Sequence, residues 1–386
     1  MTVDIQIGRR FNLPELSRSA EKAKNIDVRG ILGLEIDADL PDDPAVVALA
    51  LTRDTSVSTE ELRTAAERRI AQRSPRLHTF VPLYTTNHCD SECKMCGMKK
   101  SNTRMIRKLA GKREIEDQLR ILLEHEGVAG VGFLTGEYED EYTRLVNAFR
   151  IGWAIRTAFD MGFQRVYFNI GSMTTAEIET LGEWIDRDEP ATMCVFQETY
   201  DRHTYERFMG GKDGAPKADY DRRIQSFDRW LDAGFKYVNP GALIGLHDIE
   251  SEMIALVSHA TYLARRGGIV DISLPRLRPA MASSNRTKVD DQAYIRLMAA
   301  IAFVCPDQRL VLTNREGKAL RDSVIDLCGV ISPGSPDVAP YRRGDDIVNE
   351  ENSSQFLVAD LARPSTILKQ ITDTGRAVQN FAPEPR

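Results

Sequence analysis

Eight short β-rich runs alternating with amphipathic helical stretches predict an α/β fold for this 386-residue chain, a complete (β/α)8 TIM-type barrel extended at both ends. The alternation starts only after residue 75, and from there strands and helices arrive in pairs, as parallel βα units do. Eight runs are also the number that a closed barrel requires. A doubly wound open sheet is the alternative.

Residues 1–75 stand outside the alternation and read as a helical extension. The run PAVVALAL follows the acidic start Asp42-Asp43, and Ser58 with Glu61 makes a capping box before ELRTAAERRIAQR. Pro75 ends that segment. The candidate strands are then HTFVPLY (78–84), GVGFLTG (130–136), RVYFNI (165–170), ATMCVFQ (191–197), KYVNPGALIGL (236–246), IVDISLP (269–275), RLVLTN (309–314) and GVISPG (329–334). Helical patterns such as YTRLVNAFRIGWAIRTAFDMG and MIALVSHATYLARRG fill most of the gaps. The expected division is a barrel over 76–345 and a C-terminal extension, 346–386, packing on it.

Length and composition fit a soluble enzyme with a sizeable core. A net charge of −6 offers no basic footprint for nucleic acid. No uninterrupted apolar stretch reaches membrane-spanning length, so no membrane partner is expected.

Directly after the first strand, LYTTNHCDSECKMC sets Cys89, Cys93 and Cys96 at Cys-x3-Cys-x2-Cys spacing. Three thiolates are one fewer than an iron–sulfur cube normally takes, so a cube held here keeps one iron open. An open iron can chelate S-adenosylmethionine through its amino and carboxylate groups and cleave it reductively to a 5′-deoxyadenosyl radical. A structural zinc site wants four N/S ligands, usually as two short pairs, and no second pair follows. His88 adjoins Cys89 and is awkward as a fourth ligand. Six cysteines in a chain this long, with no apolar signal segment at its start, argue against a disulfide framework. Cys194, Cys305 and Cys328, in or beside apolar runs, read as small buried hydrophobes. Thiols kept for a cluster imply the reducing cytoplasm.

In a barrel of this kind the loops at the C-terminal strand ends carry the chemistry, and the cysteine loop is one of them. The second strand ends in Thr135-Gly136-Glu137, which can set backbone carbonyls and a carboxylate against an ammonium group. The fourth ends in Gln197-Glu198-Thr199-Tyr200, a carboxylate for ribose hydroxyls, and Arg222-Arg223 follows, a cation within reach of a carboxylate. The alternative for either arginine is a solvated helix face. Gly241 and Gly245 in the fifth run allow a flat ring to lie against backbone, or close sheet packing. The seventh strand delivers Asn314, Arg315 and Glu316 to the rim. Arg315 suits a two-point clamp on a substrate carboxylate, unless Glu316 is simply its ion-pair partner. Tyr84 offers a phenol in the same mouth, or a packed core ring.

Over nearly its whole length the chain resembles the radical S-adenosylmethionine aromatic amino acid lyases. The resemblance rests on LHTFVPLYTTNHCDSECKMC, GVGFLTGEYED, FRIGWAIRTAFDMGF, YFNIGSM, TMCVFQETYDR, FDRWLDAG, YVNPG, ISPGSPDVAPYR and SSQFLVADL. It is strongest to the tryptophan-cleaving branch that makes 3-methyl-2-indolic acid for thiopeptide antibiotics. The tyrosine lyases share the wider pattern, including PRLRP at 275–279. The resemblance implies a 4Fe-4S cluster on Cys89, Cys93 and Cys96, and S-adenosylmethionine beside Gly136 and Glu137. It implies L-tryptophan as substrate, its carboxylate on Arg315 and its pocket bordered by Tyr84, with an external electron donor of flavodoxin or ferredoxin type. Two positions depart from the pattern: Ala299 stands where a serine is expected, and Asn314 where the tryptophan lyases carry threonine. Both are expected near the substrate, where a lost hydroxyl would relax the carboxylate anchor.

Overall fold

Phe80 divides the first predicted strand, and this division closes the sheet. In the computed structural model, which describes residues 11–35, 38–73, 77–210, 215–283 and 288–383, nine strand segments pair in parallel. They are β1 (His78–Thr79), β2 (Val81–Tyr84), β3 (Gly130–Leu134), β4 (Arg165–Asn169), β5 (Ala191–Glu198), β6 (Tyr237–Ala242), β7 (Ile269–Ser273), β8 (Arg309–Thr313) and β9 (Val330–Ser332). β1 pairs with β9 and β2 with β3, so one stretch of chain bonds to both ends of the strand order. The result is a closed ring of eight strand units, each in the place its sequence run predicts, and the open-sheet alternative falls away.

The barrel interior is packed. Phe80 stacks on Tyr167 at 3.9 Å between ring centroids, and Cys194, Phe196, Val311 and Val330 join the same cluster. Across the interior the Tyr167 hydroxyl donates to Asp271 at 2.6 Å, and Arg309 Nε donates to its other oxygen at 2.6 Å. The three cysteines read as core are buried, with Cys194 inside the barrel and Cys305 and Cys328 in its outer layer.

The N-terminal helices begin where the capping residues place them. Asp43 accepts from Ala45 N at the head of Pro44–Arg53, and Ser58 and Glu61 exchange their capping bonds at the head of Thr59–Arg73. Both helices pack on Asp291–Val304, and Pro44–Arg53 also on Ile249–Arg265. Arg296 fastens them by donating to the carbonyls of Leu51, Thr52, Asp54 and Val57.

After β9 the chain crosses the C-terminal mouth of the barrel. Gly97 N donates to Gln355 O, Ile106 N to Asn352 O and Leu357 N to Pro279 O. It then forms the helix Pro364–Thr372 and returns to the first strand, where Asn380 exchanges two bonds with the backbone of Thr79.

Candidate active site

Gly136 sets the geometry of the cysteine loop. A Cβ there would sit 2.1 Å from His88 O and 2.6 Å from Cys89 Cβ, so only glycine lets the end of β3 press against the loop. One backbone bond and one bond to a thiol then join them: Asp90 N donates to Glu137 O at 2.8 Å, and Glu137 N to Cys89 Sγ at 3.4 Å. On the other side Asn87 donates to Ile106 O and Ser353 O, and Arg107 to the carbonyls of Asn87, Met98 and Lys99. The loop is thus braced from both sides.

Cys89, Cys93 and Cys96 all line one cavity at the barrel mouth, with about 930 Å³ of atom-free space counting its opening. Gly136, Glu137, Glu198, Tyr84 and Arg315 line it too. The donor chemistry fits a cube: three free thiols from one short loop face the same space. Among the described residues no three His, Cys, Asp or Glu side chains converge on a single-ion position.

Beside Cys93 lies a buried network of four charges. Arg223 donates to Glu137 Oε1 at 2.6 Å and through Nε to Phe196 O at 2.6 Å, and its other nitrogen lies 3.9 Å from Glu198. Lys217 closes on Glu198 at 2.5 Å. Burial pushes the Glu198 carboxyl up, but Lys217 and Arg223 together outweigh it and hold the pKa below the usual value. Glu198 also has φ +68, at a register shift in β5 where Phe196 and Glu198 face Gly241 and Ala242. That left-handed backbone, uncommon for glutamate, aims the carboxylate into the cavity.

Arg315 follows β8. Its guanidinium stacks on Phe356 at 3.5 Å from the ring centroid and makes no hydrogen bond or ion pair among the described residues. Burial lowers its pKa, while Tyr84 and Glu198 pull it back up. Glu316 is not its partner: Arg276 takes that carboxylate with Nε at 3.0 and 3.1 Å and with a second nitrogen. The Tyr84 hydroxyl donates to Gln355 Oε1 at 2.5 Å.

Five expected site residues lie outside the cavity lining. Arg222 turns away onto Ser172 O and Glu177, and its neighbour Arg223 makes the contact expected of it. Asn314 spends its amide on Gly334 O at 2.7 Å and Asp360 O at 2.9 Å, bracing the C-terminal segment. Ala299 is fully buried within the helix Asp291–Val304. Gly241 packs under Phe196, where a Cβ would come within 2.6 Å of the ring, and Gly245 forms a turn at φ +113. Leu243, between these glycines, is the residue of that run that reaches the cavity.

Sequence reading missed Lys217, Arg278, Gln355 and Phe356 as cavity-lining residues. Arg278 carried a signal in PRLRP: two arginines two apart leave an extended segment on the same side only if it does not turn. Here Arg276 holds Glu316, whereas Arg278 reaches the cavity with a buried Nε that has no partner among the described residues.

No protein-family model matches the chain. It is similar to the 2-iminoacetate synthase of Escherichia coli (strain K12), 28% identical over 358 residues that cover 86% of this chain and 87% of that protein. The 2-iminoacetate synthase of Salmonella typhimurium is 29% identical over 332 residues, covering 79% and 80%. Among solved structures, HydG, a maturase of the FeFe-hydrogenase, superposes with a TM-score of 0.80 at 28% identity over 95% of this chain and 79% of that one. Methylornithine synthase shares the fold, with a TM-score of 0.64 at 17% identity over 94% of this chain and 97% of its own.

Proposed function

We propose that this chain, a radical S-adenosylmethionine carbon–carbon lyase with a 4Fe-4S cluster and S-adenosylmethionine as cofactors, converts L-tryptophan to 3-methyl-2-indolic acid for thiopeptide-type biosynthesis. The observation that carries the reading is the Arg315 guanidinium, without an ion-pair partner among the described residues, in the cavity that the three cysteines line.

When bound, the cofactors supply an electron and the 5′-deoxyadenosyl radical that takes hydrogen from the substrate amine. The protein's task is then positional. Cys89, Cys93 and Cys96 hold the cluster, and the Gly136-Glu137 backbone, fixed against the loop, borders the methionyl group. Glu198, kept ionised by Lys217 and Arg223, accepts from ribose hydroxyls. Arg315 pins the amino acid carboxylate, with its plane fixed by Phe356. Tyr84, oriented by Gln355, bounds the pocket, and Leu134, Phe196, Leu243 and Leu277 give an indole ring apolar walls. A pinned carboxylate also governs where the carboxyl fragment recombines with the indole. Ala299 and Asn314 do not touch the cavity, so their departure from the resembling enzymes leaves this anchor in place.

A second reading, a tyrosine lyase, is favoured by one observation: the curated relatives at 28–29% identity are 2-iminoacetate synthases. Anaerobic turnover of the reconstituted protein with each amino acid, with mass analysis of all products, separates the two. Tryptophan should yield 5′-deoxyadenosine and 3-methyl-2-indolic acid, and alanine at Cys89, Cys93 or Cys96 should abolish both. Turnover of tyrosine with tryptophan untouched would transfer the assignment to the second reading.

A further inference from the structure

The outer side of the cysteine loop takes no part in the chemistry above, yet its composition is unlike the rest of the chain. From Cys93 to Arg113 there are eight lysines and arginines and no carboxylate, in a protein of net charge −6. Some are engaged: Arg107 braces the loop, Lys99 donates to Ala282 O, and Lys100 pairs with Glu139 at 3.0 Å. Lys94, Arg104 and Arg113 are exposed, and their side chains make no hydrogen bond or ion pair among the described residues.

The same segment exposes Ile106 and Leu109, the latter by 63%. Alongside it, the helix Glu141–Asp160 exposes Tyr142, by 75%, with Val146 and Phe149. Spacings of four, three and four bring these and Trp153 onto one face, opposite the face that buries Ile151, Ala154 and Ile155. The elements are joined: Arg150 donates to Ala110 O, and Lys112 lies 4.7 Å above the Trp153 ring. The head of the helix is tied to the cysteine loop through Glu139 N and Asp90 at 3.0 Å. The acids nearby are largely spent. Glu139 is paired with Lys100, Glu92 accepts from Ser101, and Asp140 caps the helix.

We propose that this face docks a small acidic one-electron carrier protein of the flavodoxin or ferredoxin class. The inference rests on the radical S-adenosylmethionine reading, whose cluster must be reduced from outside. The cationic segment begins at Lys94, next to Cys93, and the helix that bears the apolar stripe is tied to the cysteine loop through Glu139 and Asp90. The cationic rim steers an acidic partner, and the apolar stripe supplies the desolvated centre that a transient interface needs.

The test uses the reconstituted holoenzyme with a reduced bacterial flavodoxin as probe, read both as flavodoxin binding and as 5′-deoxyadenosine formation. The variants are Arg104→Glu/Arg113→Glu together and, separately, Tyr142→Ser/Phe149→Ser. With dithionite, each should form 5′-deoxyadenosine at the parent rate. With flavodoxin, the charge-reversed protein should lose about tenfold or more in binding and in kcat/KM for the carrier, and raising salt from about 50 to about 300 mM should weaken the parent much more than the variant. Parent-like flavodoxin binding in both variants overturns the proposal. So does a parent dimer in sedimentation that Tyr142→Ser/Phe149→Ser converts to monomers, since the face would then belong to a second copy. An error in the substrate reading shows elsewhere, as wrong products under dithionite with carrier binding intact.

Discussion

Arg315 is held by stacking on Phe356, with no counter-ion among the described residues, and that makes it informative. A guanidinium in a cavity wall with no paired carboxylate among the described residues bears a desolvation cost that nearby Glu198 only partly offsets, and a ligand carboxylate relieves it. Arg315→Lys keeps the charge but loses the planar fork and the stack on Phe356. Tryptophan affinity should fall by about 1–2 kcal/mol, roughly tenfold. More 5′-deoxyadenosine should form per molecule of 3-methyl-2-indolic acid, because a looser substrate is activated without rearranging. Binding and product ratios equal to the parent's would move the carboxylate elsewhere, and Arg278, whose buried Nε has no partner among the described residues, is the next group to test.

The contact between β3 and the cysteine loop depends on the missing side chain at Gly136. Gly136→Ala places a Cβ against His88 O, so the loop must retreat and the thiols lose their common orientation. Iron bound per chain after reconstitution should fall several-fold, while far-ultraviolet circular dichroism stays that of the parent. Full iron content would mean that the loop adapts without cost. This loop and the eight strands were legible because their signals are local: a ligand spacing within eight residues, and apolar runs separated by turns. What failed to show depends on rotation or on distance along the chain. Arg222 and Arg223 are neighbours about 100° apart on a helix, and packing of Tyr220 and Ile224 decides which one faces inward. Ala299 was expected from the resemblance alone, and it is buried in a helix, Asp291–Val304, that packs on the N-terminal helices and β8 and lends no residue to the cavity lining. Asn314 was read as a site residue because it borders Arg315, but its amide meets carbonyls 20 and 46 residues away. Gln355 and Phe356 reach the cavity on an irregular segment with no periodicity to announce it.

Stability of the whole protein should carry a titration signature far from the cavity. His259 is buried beside Tyr200, whose hydroxyl lies 2.9 Å from Nδ1, and burial pushes its pKa down to about 3. The unfolded chain takes that proton near the ordinary value of 6.5, so the stability contributed by the neutral ring is complete above 6.5 and is lost as pH falls below it. Burial raises Glu252 to about 7, which acts in the opposite direction between its ordinary value of 4.5 and 7. His259→Phe leaves Glu252 in place, so comparison with the parent isolates the histidine. The variant should be less stable at pH 7 by about 1–3 kcal/mol, because Tyr200 loses its partner. It should then close that gap by about 1 kcal/mol per pH unit below 6.5, measured as melting temperature from pH 7 to 5. Parallel curves would show that folding does not depress the His259 pKa. The divided first strand has a different consequence, one of timing. β1 waits for β9, some 250 residues later, and for Asn380 near the end of the chain, while β2 bonds to β3 almost at once. On the ribosome, the stretch that leads into the cysteine loop is therefore only half engaged until β9 and the segment around Asn380 have emerged. Metal insertion into a settled site thus belongs after these late segments have docked, and an N-terminal fragment that contains all three thiols still lacks the strand that finishes their support.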